Sequence, residues 1–157
     1  MAIYEGSQGI TALKAKIAMK SKKLVGESLE KIAVMLVDES PLGAEYYASK
    51  QGAIQNDVGD FKNSWQVAFN KPNKAIREAN TEGTGAVVSA ISTSKLYNLE
   101  DAAFVTNNVE HAEDVEQGWD DNPEYGWKAK GGYHVVGNNV GSAVAILEAV
   151  AQKVSKL

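Results

Sequence analysis

Phe61-Lys62-Asn63-Ser64-Trp65-Gln66-Val67-Ala68-Phe69-Asn70 is the stretch that decides how the fold is read. Phe61, Asn63, Trp65, Val67 and Phe69 fall on one side of an alternation, and Lys62, Ser64, Gln66 and Ala68 on the other. A period of two belongs to a strand with one buried face, because successive side chains of a pleated backbone point to opposite faces. Trp65 and Phe69 are then core residues. A strand lying between two helical patterns predicts an α+β fold.

Working outward toward the C-terminus, residues 71–85 are polar and contain Pro72 and the Gly83-Thr84-Gly85 turn signal, so they read as a connection. Ala86 to Leu99 offers a long β pattern in Val87, Val88, Ala90, Ile91, Ser92 and Leu96, and Ala102 to Val109 offers a shorter one. Together these predict an antiparallel meander of three to four strands. Asn138 or Asn139 then caps a closing helix in which Val140, Val144, Leu147, Ala151 and Val154 repeat at threes and fours. Its apolar face is expected on the sheet, beside the first helix. Tyr133 to Val136 reads as a short strand or as the entry to that helix.

Toward the N-terminus, Ile10, Leu13, Ile17, Leu24, Ile32 and Leu36 mark a helix from Ile10 to Val37, with Ser7 or Thr11 as its cap and a weak point at Gly26 that predicts a bend. About 28 residues at 1.5 Å each span roughly 40 Å, longer than a small domain needs for itself. Such a helix lies across a sheet or reaches a neighbouring subunit. It should stop at Ser40-Pro41, since the residue before proline disfavours the α region. Leu42 to Asn56 shows no clean period and reads as a loop, with one helical turn from Gly43 to Lys50.

The 157 residues, 44% hydrophobic and 23% charged, fit one folded domain over 1–157. The absence of cysteine excludes disulfides, thiolate metal sites and a thiol nucleophile. The first residues have neither the basic nor the apolar region of a signal peptide, and no run is long and apolar enough to span a membrane, so neither is expected. A net charge of -4 argues against a general nucleic-acid binder. The charge is also polarised. Lys14, Lys16, Lys20, Lys22, Lys23 and Lys31 lie early, whereas Glu100, Asp101, Glu110, Glu113, Asp114, Glu116, Asp120, Asp121 and Glu124 follow one another with no intervening Lys or Arg. Two such faces are complementary between copies in a head-to-tail arrangement.

The search for chemistry yields little. Gly83-Thr84-Gly85 lacks the Lys-Ser/Thr pair of a phosphate loop, Gly131-Gly132 lacks a third glycine in register, and no Gly-x-Ser-x-Gly elbow is present. His111 clusters with Glu110, Glu113 and Asp114; a histidine and a carboxylate three apart, as His111 and Asp114 are, share one helical face and could hold a divalent ion, which defines an alternative reading as a small metal-dependent hydrolase. A second alternative is a monomeric binding module that uses the aromatic loop Trp119, Tyr125, Trp127 and Tyr133, residue types that anchor interfaces.

Two segments carry a resemblance. Asp57-Val58-Gly59-Asp60-Phe61-Lys62-Asn63-Ser64-Trp65 resembles the Asp-Thr-Gly-x-Leu-Arg-x-Ser-Trp segment of tailed-bacteriophage neck and tail-completion (head-tail joining) proteins, where a Ser/Thr-Pro similar to Ser40-Pro41 precedes it. His111-Ala112-Glu113-Asp114-Val115-Glu116-Gln117-Gly118 resembles that family's Tyr-Ala-x-x-Val-Glu-x-Gly. Val58, Phe61, Lys62 and His111 depart from the pattern, and 42–56 looks like an inserted loop. The order of the motifs and the helices before and after them agree with the family's layout.

The resemblance implies a structural virion protein without catalysis, cofactor or metal, assembled as a homo-oligomeric ring of six or twelve copies at the head-tail junction. Its neighbours would be connector or head-closure and tail proteins, with DNA only as passing cargo. The residues at the motif positions are Asp57, Gly59, Phe61, Ser64, Trp65, His111, Ala112, Val115, Glu116 and Gly118, with Phe61 and His111 as substitutions. On the residues themselves, Gly59 suits a positive φ, Val115 suits the core, Gly118 suits a helix C-cap, and Glu116 is a candidate for pairing across a subunit contact. The aromatic loop supplies the candidate interface, and Asp120, Asp121 and Glu124 are candidates for the lumen, where they would repel passing phosphates.

Overall fold

A computed structural model describes residues 2–42, 58–120 and 130–156, with side chains from Gly9 onward. The inserted loop and its expected helical turn therefore lie outside the described residues, apart from Leu42. The fold is mixed helix and sheet. Helix α1 (Ala2–Glu39) leads to the single turn α2 (Asp60–Asn63), strand β1 (Gln66–Phe69), helix α3 (Thr84–Ser94) and strand β2 (Ala103–Thr106). The short helix α4 (Ala112–Gln117), strands β3 (Gly118–Trp119) and β4 (Lys130–Gly131), and helix α5 (Val135–Ser155) follow.

Helix α1 stops at Glu39, as the Ser40-Pro41 rule requires, but it begins at Ala2 and runs through Gly26 without interruption. Ser7 and Thr11 lie inside the helix, not at its start, and Gly26 is helical like its neighbours. Gly26 has a packing reason instead: a Cβ there would lie 2.9 Å from the carbonyl oxygen of Ser94. Close approach of α3 selects glycine on α1.

The expected strand from Ala86 to Leu99 is helix α3, and this removes the predicted meander. Its composition is β-like, yet Ala86, Ala90 and Ser94 are buried at four-residue spacing while Val88 is 60% exposed. Small residues on one helical face let α3 lie against α1, and that packing overrides local β propensity. Among the described residues two sheets of two strands each remain, both antiparallel. In the first, Gln66 to Phe69 pair with Thr106 to Ala103. In the second, Gly118 pairs with Gly131 and Trp119 with Lys130.

The decisive stretch is itself divided. Asp60 to Asn63 is a single helical turn with Phe61 and Asn63 buried, entered from Gly59 at φ 90°. Only Gln66 to Phe69 is strand.

Helix α5 packs along α1 rather than on a sheet. The two run antiparallel: Val135 joins Leu36 and Val37 in one cluster, Lys153 donates to Glu27 at 2.9 Å, and Lys20 donates to the carbonyl of Ser155 at 3.1 Å. Among the described residues the core has two parts. One gathers Leu36, Val37, Phe61, Trp65, Ala86, Val109, Val115 and Val135. The other gathers Leu29, Ala33, Val67, Ala90 and Tyr97, with Phe69 against Tyr97 at 5.6 Å between ring centroids. Among the described residues no helix is long and apolar enough to cross a membrane.

Candidate functional site

The two motif segments meet. Nε2 of His111 lies 3.3 Å from Oδ1 of Asp60, both side chains being largely buried, and this contact ties the turn that starts α4 to the turn that starts β1. Beneath it, Phe61 meets Trp65 edge to face at 5.7 Å, and Val115 is 1% exposed in the same cluster. Ala112 packs against that cluster.

The Ser-Pro element joins the same joint. Trp65 donates its indole N–H to Oγ of Ser40 at 2.7 Å, and that hydroxyl donates to the carbonyl of Leu36 at 2.5 Å. A buried indole needs an acceptor, and the end of α1 supplies one.

Around this centre the backbone is tied by side chains. Ser64 is fully buried, and its hydroxyl accepts from the N–H of Arg77 at 3.2 Å; Arg77 Nη1 returns a bond to the carbonyl of Trp65 at 3.0 Å. Burial also lowers the pKa of the Arg77 guanidinium. Asn63 donates to the carbonyl of Glu78 at 2.8 Å and accepts from the N–H of Ala86 at 3.0 Å, so one amide holds both the irregular connection and the start of α3. Gln66 donates to the carbonyl of Ala75. Asn63, Arg77 and Ser40 are positions that sequence reasoning passed over as joint residues. Only the short spacing between Ser40-Pro41 and the end of the helix pointed toward one of them.

Gly59 has φ 90°, and a Cβ there would lie 2.7 Å from the carbonyl carbon of Asn80. Gly118 is the C-cap of α4 with φ 98°, and its missing Cβ leaves room for the carbonyl of Lys130. Both glycines bring a distant strand of backbone close.

Glu116 is placed inside the chain. Its Oε1 accepts from the N–H of Gly137 at 3.0 Å and its Oε2 from the N–H of Val136 at 3.1 Å. His134, the N-cap of α5, is in the left-handed region (φ 51°) and makes no side-chain cap. Glu116 therefore supplies the missing acceptor from α4, where a carboxylate also suits the positive end of the helix dipole. Both carboxylate oxygens of Glu116, the residue expected to pair across a subunit contact, thus have partners within the chain.

Of the candidate interface and lumen residues, Trp119, Asp120 and Tyr133 are described. Trp119 is 7% exposed and buried within the chain, which takes it out of a contact surface. Tyr133 is half-buried against the core; Lys130 sits 4.7 Å over its ring and donates to its hydroxyl at 3.0 Å. Asp120 is exposed. Asp57, Asp121, Glu124, Tyr125 and Trp127 lie outside the described residues. Among the described residues no group of three or more His, Asp and Glu side chains is arranged to hold a metal ion.

Exposed apolar surface lies elsewhere. Ile10, Leu13 and Ile17 on α1 and Val140, Val144 and Leu147 on α5 are 42–58% exposed. No family model, curated protein or solved structure matches the chain.

Proposed function

We propose that the chain is a structural protein of a tailed-phage virion, a neck or tail-completion protein that forms a ring of six or twelve copies between the connector and the tail, with DNA passing through the ring. The observation that supports this reading is the meeting of the two resembling segments. Far apart in sequence, they share the His111–Asp60 contact and one cluster containing Phe61, Trp65 and Val115. They thus behave as one packed unit, which is what a shared ancestry of the whole layout would require. The motif residues spend their hydrogen bonds on the chain itself, a pattern suited to a scaffold. The polarised charge adds complementary faces for head-to-tail closure.

On this reading Asp120, Asp121 and Glu124 face the channel. Electron microscopy of particles, with the mass of the purified protein measured by light scattering, tests the proposal. Six or twelve copies at the head-tail junction are expected; a strict monomer absent from virions overturns it. Metal analysis provides the contrast with hydrolase chemistry, for which stoichiometric zinc or manganese lost on His111→Ala would be the sign. DNA ejection unchanged after neutralisation of Asp120, Asp121 and Glu124 overturns the lumen assignment alone.

A further inference from the structure

Helix α1 outruns α5. Lys20 donates to the carbonyl of Ser155 at 3.1 Å, which marks the level on α1 where α5 ends. Beyond that level roughly 18 residues of α1, about 27 Å at 1.5 Å per residue, project as an arm. The face that meets α5 is defined by Lys20 and Glu27, seven apart, which bond to Ser155 and Lys153. Ile10, Leu13 and Ile17 continue that face toward the N-terminus at the same alternation of threes and fours. They are 58%, 58% and 55% exposed. The seam that packs α1 on α5 thus runs on past the end of α5 as bare apolar side chains.

A matching stripe lies on α5. Val140, Val144 and Leu147 are 58%, 50% and 42% exposed. Read from Leu147 back to Val140, their spacing is three then four, the same as Ile10, Leu13 and Ile17 read forward. Antiparallel pairing would therefore set Ile10 beside Leu147, Leu13 beside Val144 and Ile17 beside Val140, which is the ridge spacing that helices use to interlock. Antiparallel is also how α1 and α5 already pack within one chain.

Charge favours the same register. The arm carries Lys14 and Lys16, and no acidic residue occurs from 6 to 26. The end of α5 that the Ile17 side would approach is bound by Glu116 to α4, whose first turn holds Glu113 and Asp114.

We propose that the arm of one copy docks antiparallel on the α5 stripe of a second copy. The contact joins two different surfaces, so repetition produces a ring where the rotation closes and a filament where it does not. Three apolar pairs make a small contact, but each copy in a closed ring makes two, and the closing contact is intramolecular. The inference rests on the homo-oligomeric part of the proposed function and names the surface through which it operates.

The chain has no cysteine, so engineered thiols are unique. Full-length Leu13→Cys and Val144→Cys proteins, mixed and oxidised at high concentration, should give a cross-linked dimer between the two kinds of chain in preference to dimers of either alone. Leu13→Asp and Val144→Asp should each lower self-association at least tenfold by sedimentation equilibrium, with circular dichroism unchanged because both sites are exposed. Preferential Leu13→Cys homodimers would mean arm-to-arm packing and overturn the register. Aspartate variants that associate like the natural chain overturn the docking while leaving a ring built through another face. A chain that stays monomeric at millimolar concentration and yields no mixed cross-link also overturns the docking, whereas the virion reading falls only if particles lack the protein.

Discussion

The carboxylate of Glu116 accepts the backbone N–H of Gly137 at 3.0 Å, and so a side chain on α4 caps a helix that begins 19 positions later in the sequence. The neighbouring N–H of Val136 is satisfied by the other carboxylate oxygen. Glu116→Ala removes both acceptors from the first turn of α5, and loss of a cap costs about 1–2 kcal/mol. For a chain of this size the melting temperature should fall by roughly 2–8 °C. Glu116→Gln should retain part of the loss, since its amide oxygen still accepts one bond. Thermal unfolding of the dilute protein checks this, because a carboxylate reserved for a subunit contact would leave dilute-state stability unchanged.

The Trp65 indole and the Ser40 hydroxyl form the second link between motifs. Ser40→Ala leaves a buried indole N–H without its acceptor, a loss of about 1–3 kcal/mol. Trp65→Phe removes the donor together with packing volume. If the bond is the coupling, the double variant costs less than the sum of the singles, because residues in contact are not additive. Urea unfolding of the four proteins gives the cycle, and strict additivity would count against it.

Two glycines should respond in opposite directions to alanine. At Gly118, φ is 98° and a Cβ would overlap the carbonyl oxygen of Lys130, so Gly118→Ala strains the backbone and displaces β4. A cost of about 2 kcal/mol or more is expected from left-handed strain and overlap. Gly141 lies inside α5 with nothing within 4 Å of a Cβ. Gly141→Ala should stabilise by up to about 1 kcal/mol through helix propensity. Denaturant midpoints compare the two directly.

Helix α1 was legible because Ile10, Leu13, Ile17, Ile32 and Leu36 keep a helical period and Ser40-Pro41 stops it. Helix α3 was not. Val87, Val88, Ile91 and Thr93 bias the segment toward strand, and the decisive signal lay in the smallest residues, Ala86, Ala90 and Ser94, whose spacing of four matters only once α1 is beside them. Phe61 and Trp65 are ambiguous between the two periods, so their burial was readable and their backbone was not. The Glu116 cap left no sequence trace. A bond from a side chain to the backbone of a distant residue imposes no periodicity, and the contact of His111 with Asp60 is silent for the same reason. What the sequence did carry was the grouping: Gly59, Phe61, Ser64, Trp65, Ala112 and Val115 were marked together and are packed together or tied by adjacent bonds.

Acid should loosen the α1–α5 seam. Lys153 donates to Glu27 at 2.9 Å, and this hydrogen bond, followed by the attraction of Lys153, Lys23 and Lys31, holds the Glu27 carboxyl below its ordinary range. A carboxyl whose pKa is depressed by folding stabilises the fold above its unfolded value, and that stabilisation disappears as pH falls through the lower, folded value. The pair is largely solvated, with the Lys153 side chain 61% exposed, so its contribution at neutral pH is on the order of 0.5 kcal/mol. Lys153→Met should therefore lower stability slightly at neutral pH, and the gap to the natural chain should close once the pH is below the glutamate range. It should also shrink in high salt, where an exposed pair is screened. Urea midpoints measured across that range decide the matter: a gap that stays constant from neutral to acid pH would assign the effect of Lys153 to packing of its aliphatic stem, not to the ion pair.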